Sequence, residues 1–402
     1  MANLLWGKVF YGKHLAGYLK EEPGMATSFT YDESYLNASL PAIAYTLPLQ
    51  EDPHLCHSGL LPFFDNLVAE GWLEQAQTRL LGKRSISRFA LLLAFGQDCA
   101  GAVSVLDPNP MNLTDSLIDK SNPKEFAVLA SRASLSGVQP KLALIERNGK
   151  FYPTKINELS THIGKFPSLH HADLVLNEYL SMLAFQTLLP DDQTCQIILG
   201  EIADFTEQAL IIKRFDREAS ERLHFEEFNQ LLNKPAHDKY EGSYQEMASF
   251  MQANSSCLPI EIYRLYLRII AGLLLGNTDM HFKNFALLYT PTGLRLTPNY
   301  DQVAASLYGY KTLALKLAGL SNFSLTKLKD KHIIKLGEEF SLTPATIELA
   351  VKHIQTYLAD AKEAIFEAPI KQPLLKDQLI NLMEKRWNGT FASIGKHLST
   401  KP

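Results

Sequence analysis

Asp279, Asn284 and Asp301 are the residues with the clearest chemical promise. The first two are five positions apart in Gly276-Asn277-Thr278-Asp279-Met280-His281-Phe282-Lys283-Asn284, and the third follows Tyr300 after a short hairpin pattern. A carboxylate that takes a hydroxyl proton, beside an amide and a second carboxylate that hold metal, is the set that phosphoryl transfer from Mg·ATP requires. Residues 285–289 and 294–297 read as the two strands of the hairpin, and Thr290-Pro291-Thr292-Gly293 as its turn. Taken locally, the same polar cluster also reads as a capped turn after an apolar helix, because Asn, Thr and Asp side chains satisfy free backbone groups there. The hairpin that ends in Asp301 favours the catalytic reading, with Asp279 as base and Asn284 and Asp301 as the Mg²⁺ ligands.

His281 and Lys283 stand between Asp279 and Asn284. Either suits the charge that builds on a transferring phosphoryl group. Lys283 is preferred because its charge does not depend on pH near neutrality, whereas His281 also reads as a structural group bonding backbone carbonyls.

Nucleotide chemistry needs three further pieces, and each has a candidate in order along the chain. Ser134-Leu135-Ser136-Gly137-Val138-Gln139-Pro140-Lys141 precedes a strand, so Gly137 and the backbone around Val138, Gln139 and Lys141 are placed to approach phosphate oxygens. One glycine is a weak signal, and a plain turn is the competing reading. Lys165 ends the short strand pattern Thr161-His162-Ile163-Gly164-Lys165 and points to a phosphate lysine paired with Glu178 on the following helix. Alternatively, both side chains are simply solvated. Lys213-Arg214-Phe215-Asp216 follows an apolar strand, and the backbone at Lys213 and Phe215 is a candidate for reading adenine.

The elements that must hold these groups form an α+β pattern. Residues 1–105 read as a small α/β unit, with a strand pair bent at Tyr11-Gly12-Lys13, a helix over 62–80 and a second helix capped by Ser87. Leu106-Asp107-Pro108-Asn109-Pro110 breaks both helix and strand and marks a candidate boundary. Residues 106–215 read as strands around one helix, with a hairpin at Arg147-Asn148-Gly149-Lys150, a helix over 172–188 and a buried strand at 209–212. From 216 to 402 the chain is mainly helical, and an apolar helix over 260–275 leads into the loop of Asp279. A strand-rich lobe before a helical one is the expected arrangement.

Composition excludes several alternatives. With 402 residues, 46% hydrophobic and 20% charged, the chain has the makeup of an ordinary globular protein of two or three domains. A net charge of −4 gives no basic surface for nucleic acid over the whole molecule, so any DNA contact is expected through a partner. Cys56, Cys99, Cys195 and Cys257 match neither a zinc spacing nor a redox pair, which fits a reducing cytoplasm. The N-terminal segment lacks the apolar run of a signal peptide, and the longest apolar stretch, 269–275, is far short of a membrane span.

The order of these motifs resembles the HipA family of bacterial toxin kinases over nearly the whole chain. The resemblance is carried by the Ser134–Lys141 segment, Thr161-His162-Ile163-Gly164-Lys165-Phe166-Pro167, Asn177-Glu178, Arg214-Phe215-Asp216-Arg217, His224-Phe225-Glu226-Glu227-Phe228, the Asn277–Asn284 segment and Tyr300-Asp301. It implies a bilobal protein-kinase-like fold, with an N-terminal subdomain that some members encode separately. It also implies a serine/threonine protein kinase that uses ATP and Mg²⁺, phosphorylates an aminoacyl-tRNA synthetase, and thereby arrests translation and growth. Ser134 falls at the family's autophosphorylation position, and Ser136 at the second serine of a Ser-x-Ser loop. Pro140 and Lys213 depart from the family pattern, where many relatives carry acidic residues.

The resemblance further implies a helix-turn-helix antitoxin of the HipB type as partner, with DNA bound through it. Two alternatives stay open: a catalytically weak binding protein on the same fold, and a kinase acting on a small molecule. Substrate identity is not encoded in these motifs.

Overall fold

The computed structural model describes residues 4–82, 86–109, 123–135, 137, 139–168, 171–219 and 221–399. The chain divides into two compact units, one made of Met1–Ser168 and Ile198–Asp238, the other of Leu169–Ile197 and Lys239–Pro402.

The first unit holds two five-stranded sheets. The N-terminal sheet has the order His54–Cys56, Ala26–Tyr31, His14–Glu22, Trp6–Tyr11, Val103–Leu106. Its first hairpin turns at Gly12, where φ is +57°, so glycine suits the position. Val9, Ala16, Leu19 and Phe29 on its strands are buried with Phe63, Phe64 and Leu92 from the helices that cover it. Ser87 caps the helix Arg88–Phe95 by accepting the Ala90 N–H, as the sequence suggests. The helix expected over 62–80 is instead two, Pro62–Asp65 and Gly71–Leu80. Gly71 takes φ +59°, and the Asn66 side chain donates to the carbonyls of Pro62 and of the distant Lys234, which ends the first turn.

The second sheet runs Lys150–Pro153, Lys141–Arg147, His162–Lys165, Ala209–Lys213, Ile197–Gly200. Asn148 and Gly149 at φ +52° and +74° form the tight turn of its hairpin. Leu142, Leu144 and Ile211 share a core with Leu73, Leu80 and Phe95, so the sequences before and after the break at Leu106 pack into the same interior.

Polar bonds reinforce that packing. Asp98 and Asp216 are buried with Arg214 and Arg217. Arg217 reaches Asp98 and Asp216 at 2.7 Å each, and Arg214 reaches Asp216 at 2.7 Å. The Cys99 carbonyl accepts from Arg214, Arg217 and Arg222 at 2.8–3.0 Å. Burial alone would raise both carboxyl groups, but the guanidinium groups overcome it and hold them below the usual carboxylate range.

The second unit is mainly helical. The last eleven residues of Pro259–Leu275 are all buried, as a largely apolar sequence demands, and the one charged side chain among them, Arg268, pairs with Asp192 at 2.5 Å. Gly276 ends it at φ +78°, and a Cβ there would stand 2.4 Å from Ser306 Oγ and 2.5 Å from Leu382 Cδ2. Leu174–Leu188 packs against Pro344–Glu367. Its buried face carries Val175, Asn177, Glu178 and Leu180, while the apolar Leu174, Leu176 and Tyr179 are only half-buried. The polar pair turns inward because Asn177 has backbone partners there.

Candidate active site

Helix Pro259–Leu275 delivers the chain at Gly276 into a loop held by its own side chains. Asn277 Oδ1 accepts the Asp279 N–H at 3.0 Å, and its Nδ2 donates to Gln302 at 3.0 Å. The Thr278 hydroxyl donates to the Tyr310 carbonyl at 2.7 Å, and Ala314 N–H donates to the Thr278 carbonyl at 2.9 Å. The loop is thereby pinned between its own helix and the segment that follows Asp301.

Asp279 and Asn284 come together. Asn284 Nδ2 donates to the Asp279 carbonyl at 2.7 Å, which fixes the amide and leaves its oxygen as an acceptor. Asp279 Oδ1 accepts from the Tyr240 hydroxyl at 3.1 Å. Burial raises the Asp279 carboxyl to about 6, the Tyr240 hydrogen bond and Lys239 pull it down, and Asp301 pushes it up. A base poised near neutrality is what proton abstraction needs.

The hairpin forms as Ala286–Thr290 and Gly293–Leu296, with Thr290 opposite Gly293. It returns the chain to Asp301, whose φ is +55°. A non-glycine residue in the left-handed region stores strain, and such residues cluster at functional sites. Asn177 takes Ala304 by both amide atoms, so the turn after Asp301 is anchored on helix Leu174–Leu188.

His281 Nδ1 accepts the Lys283 N–H at 3.2 Å, so the ring serves the backbone of its own loop, which has a short helical turn, Phe282–Asn284, here. Lys283 is buried, and its carbonyl accepts from the Tyr300 hydroxyl at 3.0 Å.

The other candidates lie in the first unit. Gly137 has φ +96°, and a Cβ there would stand 2.4 Å from Lys141 Nζ, so the ammonium folds against the glycine. That cradle exists only without a side chain, and it suits phosphate oxygens. Lys141 is buried at the start of its strand, and Gln139 donates to the Phe166 carbonyl at 2.9 Å. Ser134 is buried, its hydroxyl donating to the Leu67 carbonyl at 2.6 Å and its N–H to the Asp98 carbonyl at 3.2 Å. Ser136 and Val138 lie outside the described residues. Lys165 is buried within the first unit and Glu178 within the second, which removes the solvated reading of both. Lys213 is exposed and Phe215 half-buried at the end of strand Ala209–Lys213.

The donors fit a hard divalent cation. Asp301 and Asn284 offer oxygen atoms only, the chemistry that Mg²⁺ takes. Among the described residues there is no cluster of three or more His, Cys, Asp or Glu side chains that would hold a metal without a nucleotide. Tyr240 escaped sequence reasoning, because a tyrosine in the polar turn Lys239-Tyr240-Glu241-Gly242 shows no period.

Comparison with known proteins agrees with this arrangement. The family profile described as HipA-like C-terminal domain matches residues 133–364, and that described as HipA N-terminal domain matches 7–106. The Sinorhizobium fredii protein Y4dM is 30% identical over 335 residues, 77% of each chain. The Shewanella oneidensis serine/threonine-protein kinase toxin HipA is 28% identical over 312 residues, covering 69% of this chain and 70% of that one. A solved structure of Shewanella oneidensis HipA with HipB and operator DNA superimposes with a TM-score of 0.76 at 21% identity, over 97% of this chain and 99% of that one. The fold is therefore the bilobal, kinase-like α+β fold of that structure. No described helix is long and apolar enough to cross a membrane. With more than half of its length matched by the C-terminal profile and its N-terminal part by the other, this chain belongs to the HipA family.

Proposed function

We propose that this chain is an ATP-dependent serine/threonine protein kinase and the toxin of a HipA/HipB-type pair. The observation that carries this reading is the joined Asp279–Asn284 loop, followed by Asp301 in a strained backbone, all within one unit. Relatives named as kinases support it. When bound, Mg·ATP supplies the phosphoryl group and the charge that shields its oxygens. Asn284 Oδ1 and the Asp301 carboxylate would hold the metal. Asp279 takes the proton of the acceptor hydroxyl as that oxygen bonds to the γ-phosphorus and ADP departs. Gly137, Val138, Gln139, Lys141 and Lys165 would bind the phosphates, with Lys283 neutralising the charge that builds on the transferring group; Lys213 and Phe215 would border adenine.

The finer reading follows the family resemblance. The acceptor is an aminoacyl-tRNA synthetase, the partner a helix-turn-helix antitoxin that carries the complex to DNA, and the site of action the cytoplasm. Ser134, with Ser136, is the self-inactivation site. Because Ser134 is buried against Leu67, its modification requires that the segment first leave the core. The test is phosphoproteomics after brief induction of the chain and of its Asp279→Asn variant. Synthetase phosphopeptides dependent on Asp279 support the reading. Identical phosphoproteomes with the two proteins sink it.

A further inference from the structure

The carboxylate of Asp279 has two oxygens, and the structure gives them different surroundings. Oδ1 accepts from the Tyr240 hydroxyl at 3.1 Å, while Oδ2 has no hydrogen-bond partner among the described residues. Tyr240 is itself held in place. The Lys239 carbonyl accepts the Phe282 N–H at 3.2 Å, which ties this turn to the loop of Asp279. The Tyr240 ring meets His281 edge-on at 5.0 Å, and His281 is in turn fixed by the Lys283 N–H at 3.2 Å. Lys239 Nζ lies 5.5 Å from the ring centroid. Yet Tyr240 remains 44% exposed. The hydroxyl of this partly exposed ring is spent on the base, and the ring itself is held against the loop through His281.

We propose that Tyr240 is the positioning residue of Asp279: its hydroxyl holds Oδ1 so that Oδ2 is presented to the acceptor, and its partly exposed ring walls the acceptor's approach. This rests on the reading of Asp279 as base. Misplacing a reacting group by about 1 Å costs on the order of 100-fold in rate, so a carboxylate free to rotate is a poor base even with its charge intact. The ring's second effect is on water. A wall beside Oδ2 favours a tethered hydroxyl over a water molecule, and its removal lets water compete for the same phosphoryl group.

The test uses the full chain with Mg·ATP and dephosphorylated casein as the acceptor probe, comparing wild type with Tyr240→Phe, Tyr240→Ala and Asp279→Asn. Tyr240→Phe keeps the ring and its contact with His281 but loses the hydroxyl. It should lower kcat for transfer about 3- to 30-fold while the Kd for Mg·ATP and the KM for casein stay within about twofold. Tyr240→Ala should in addition raise the casein KM and the ADP released per phosphate transferred. A crystal structure of Tyr240→Phe supplies a readout that does not need activity, and should show Asp279 in more than one rotamer. Wild-type kcat in Tyr240→Phe, or a single unmoved Asp279 rotamer there, overturns the proposal, as does phosphate mapped to Tyr240 itself. Transfer retained in Asp279→Asn instead overturns the base reading, so the two failures are told apart.

Discussion

Asn177 grips Ala304 with both ends of its amide: Oδ1 accepts the Ala304 N–H at 2.8 Å, and Nδ2 donates to the Ala304 carbonyl at 3.3 Å. The pair is buried, and Ser181 adds a bond to the same Ala304 N–H at 3.1 Å. A helix in the middle of the second unit thus fixes the backbone three residues beyond Asp301. Removing one partner of a buried hydrogen bond costs about 1–3 kcal/mol. Asn177→Ala should lower stability by about that amount and weaken Mg²⁺-dependent nucleotide binding more than Mg²⁺-free binding. Calorimetric titration with and without Mg²⁺ checks it, and equal losses in both would disconnect Asn177 from Asp301.

Asp279 has an opposite effect on stability from most carboxylates. Its folded value of about 6 lies above that of an unfolded chain, so the folded protein binds the proton more tightly. Stability therefore falls as pH rises between about 4 and 6 and stays lower above that. Asp279→Asn, which carries no charge, should melt higher than wild type at pH 7–8, by on the order of 2 kcal/mol, with the gain shrinking toward pH 4. Thermal melts across that range decide it. The same variant should lose phosphoryl transfer by about 10²–10⁴-fold.

The buried Asp98 behaves in the reverse sense. Held below its usual range by three guanidinium groups, it contributes stability that is present above about pH 4 and lost as pH falls through its depressed value. Asp98→Ala leaves buried arginines short of a counter-charge and should cost about 3–5 kcal/mol at pH 7. The difference from wild type should narrow below about pH 4. Urea melts at pH 7 and pH 3.5 test this, and a gap of equal size at both would contradict it.

Gly137→Ala puts a Cβ where Lys141 Nζ now packs, at a φ of +96° that costs a residue with a side chain about 1–3 kcal/mol. Mg·ATP affinity should fall about tenfold or more with little change in AMP affinity, since the cradle suits the outer phosphates. Ser134→Ala should instead cost about 1–3 kcal/mol of stability, because the Leu67 carbonyl loses its donor. Hydrogen exchange at Ser134 and Leu135 would report the loosened segment.

The second unit was the more legible in the sequence. An apolar helix stopped by glycine, a polar loop and a turn of Thr-Pro-Thr-Gly are local signals, and helix Pro259–Leu275, the Asp279–Asn284 step and the hairpin all form within a residue or two of the expected places. What stayed hidden were groups whose role depends on long-range partners. Lys165 and Glu178 look solvated by local rules and are buried. Asp98 and Arg217, 119 residues apart, give no periodic signal, yet they bond at 2.7 Å. The break inside 62–80 followed from Asn66 reaching Lys234, which no window of sequence around residue 66 contains.

The convergence of Arg214, Arg217 and Arg222 on the carbonyl of Cys99 bears on how the chain can be cut. Those three cations lie in the part after residue 123, whereas the Cys99 carbonyl that receives all three and the Asp98 carboxylate lie in the part before 107. Severing the chain between these points would leave one fragment with three arginines and, of the two buried carboxylates, only Asp216 to offset them, and the other with Asp98 and the Cys99 carbonyl unfilled, so neither half is a finished folding unit. Produced together, the halves carry matching polar and apolar surfaces and should reassemble without a covalent link, which makes this break a natural place for split-protein complementation and a poor place for truncation.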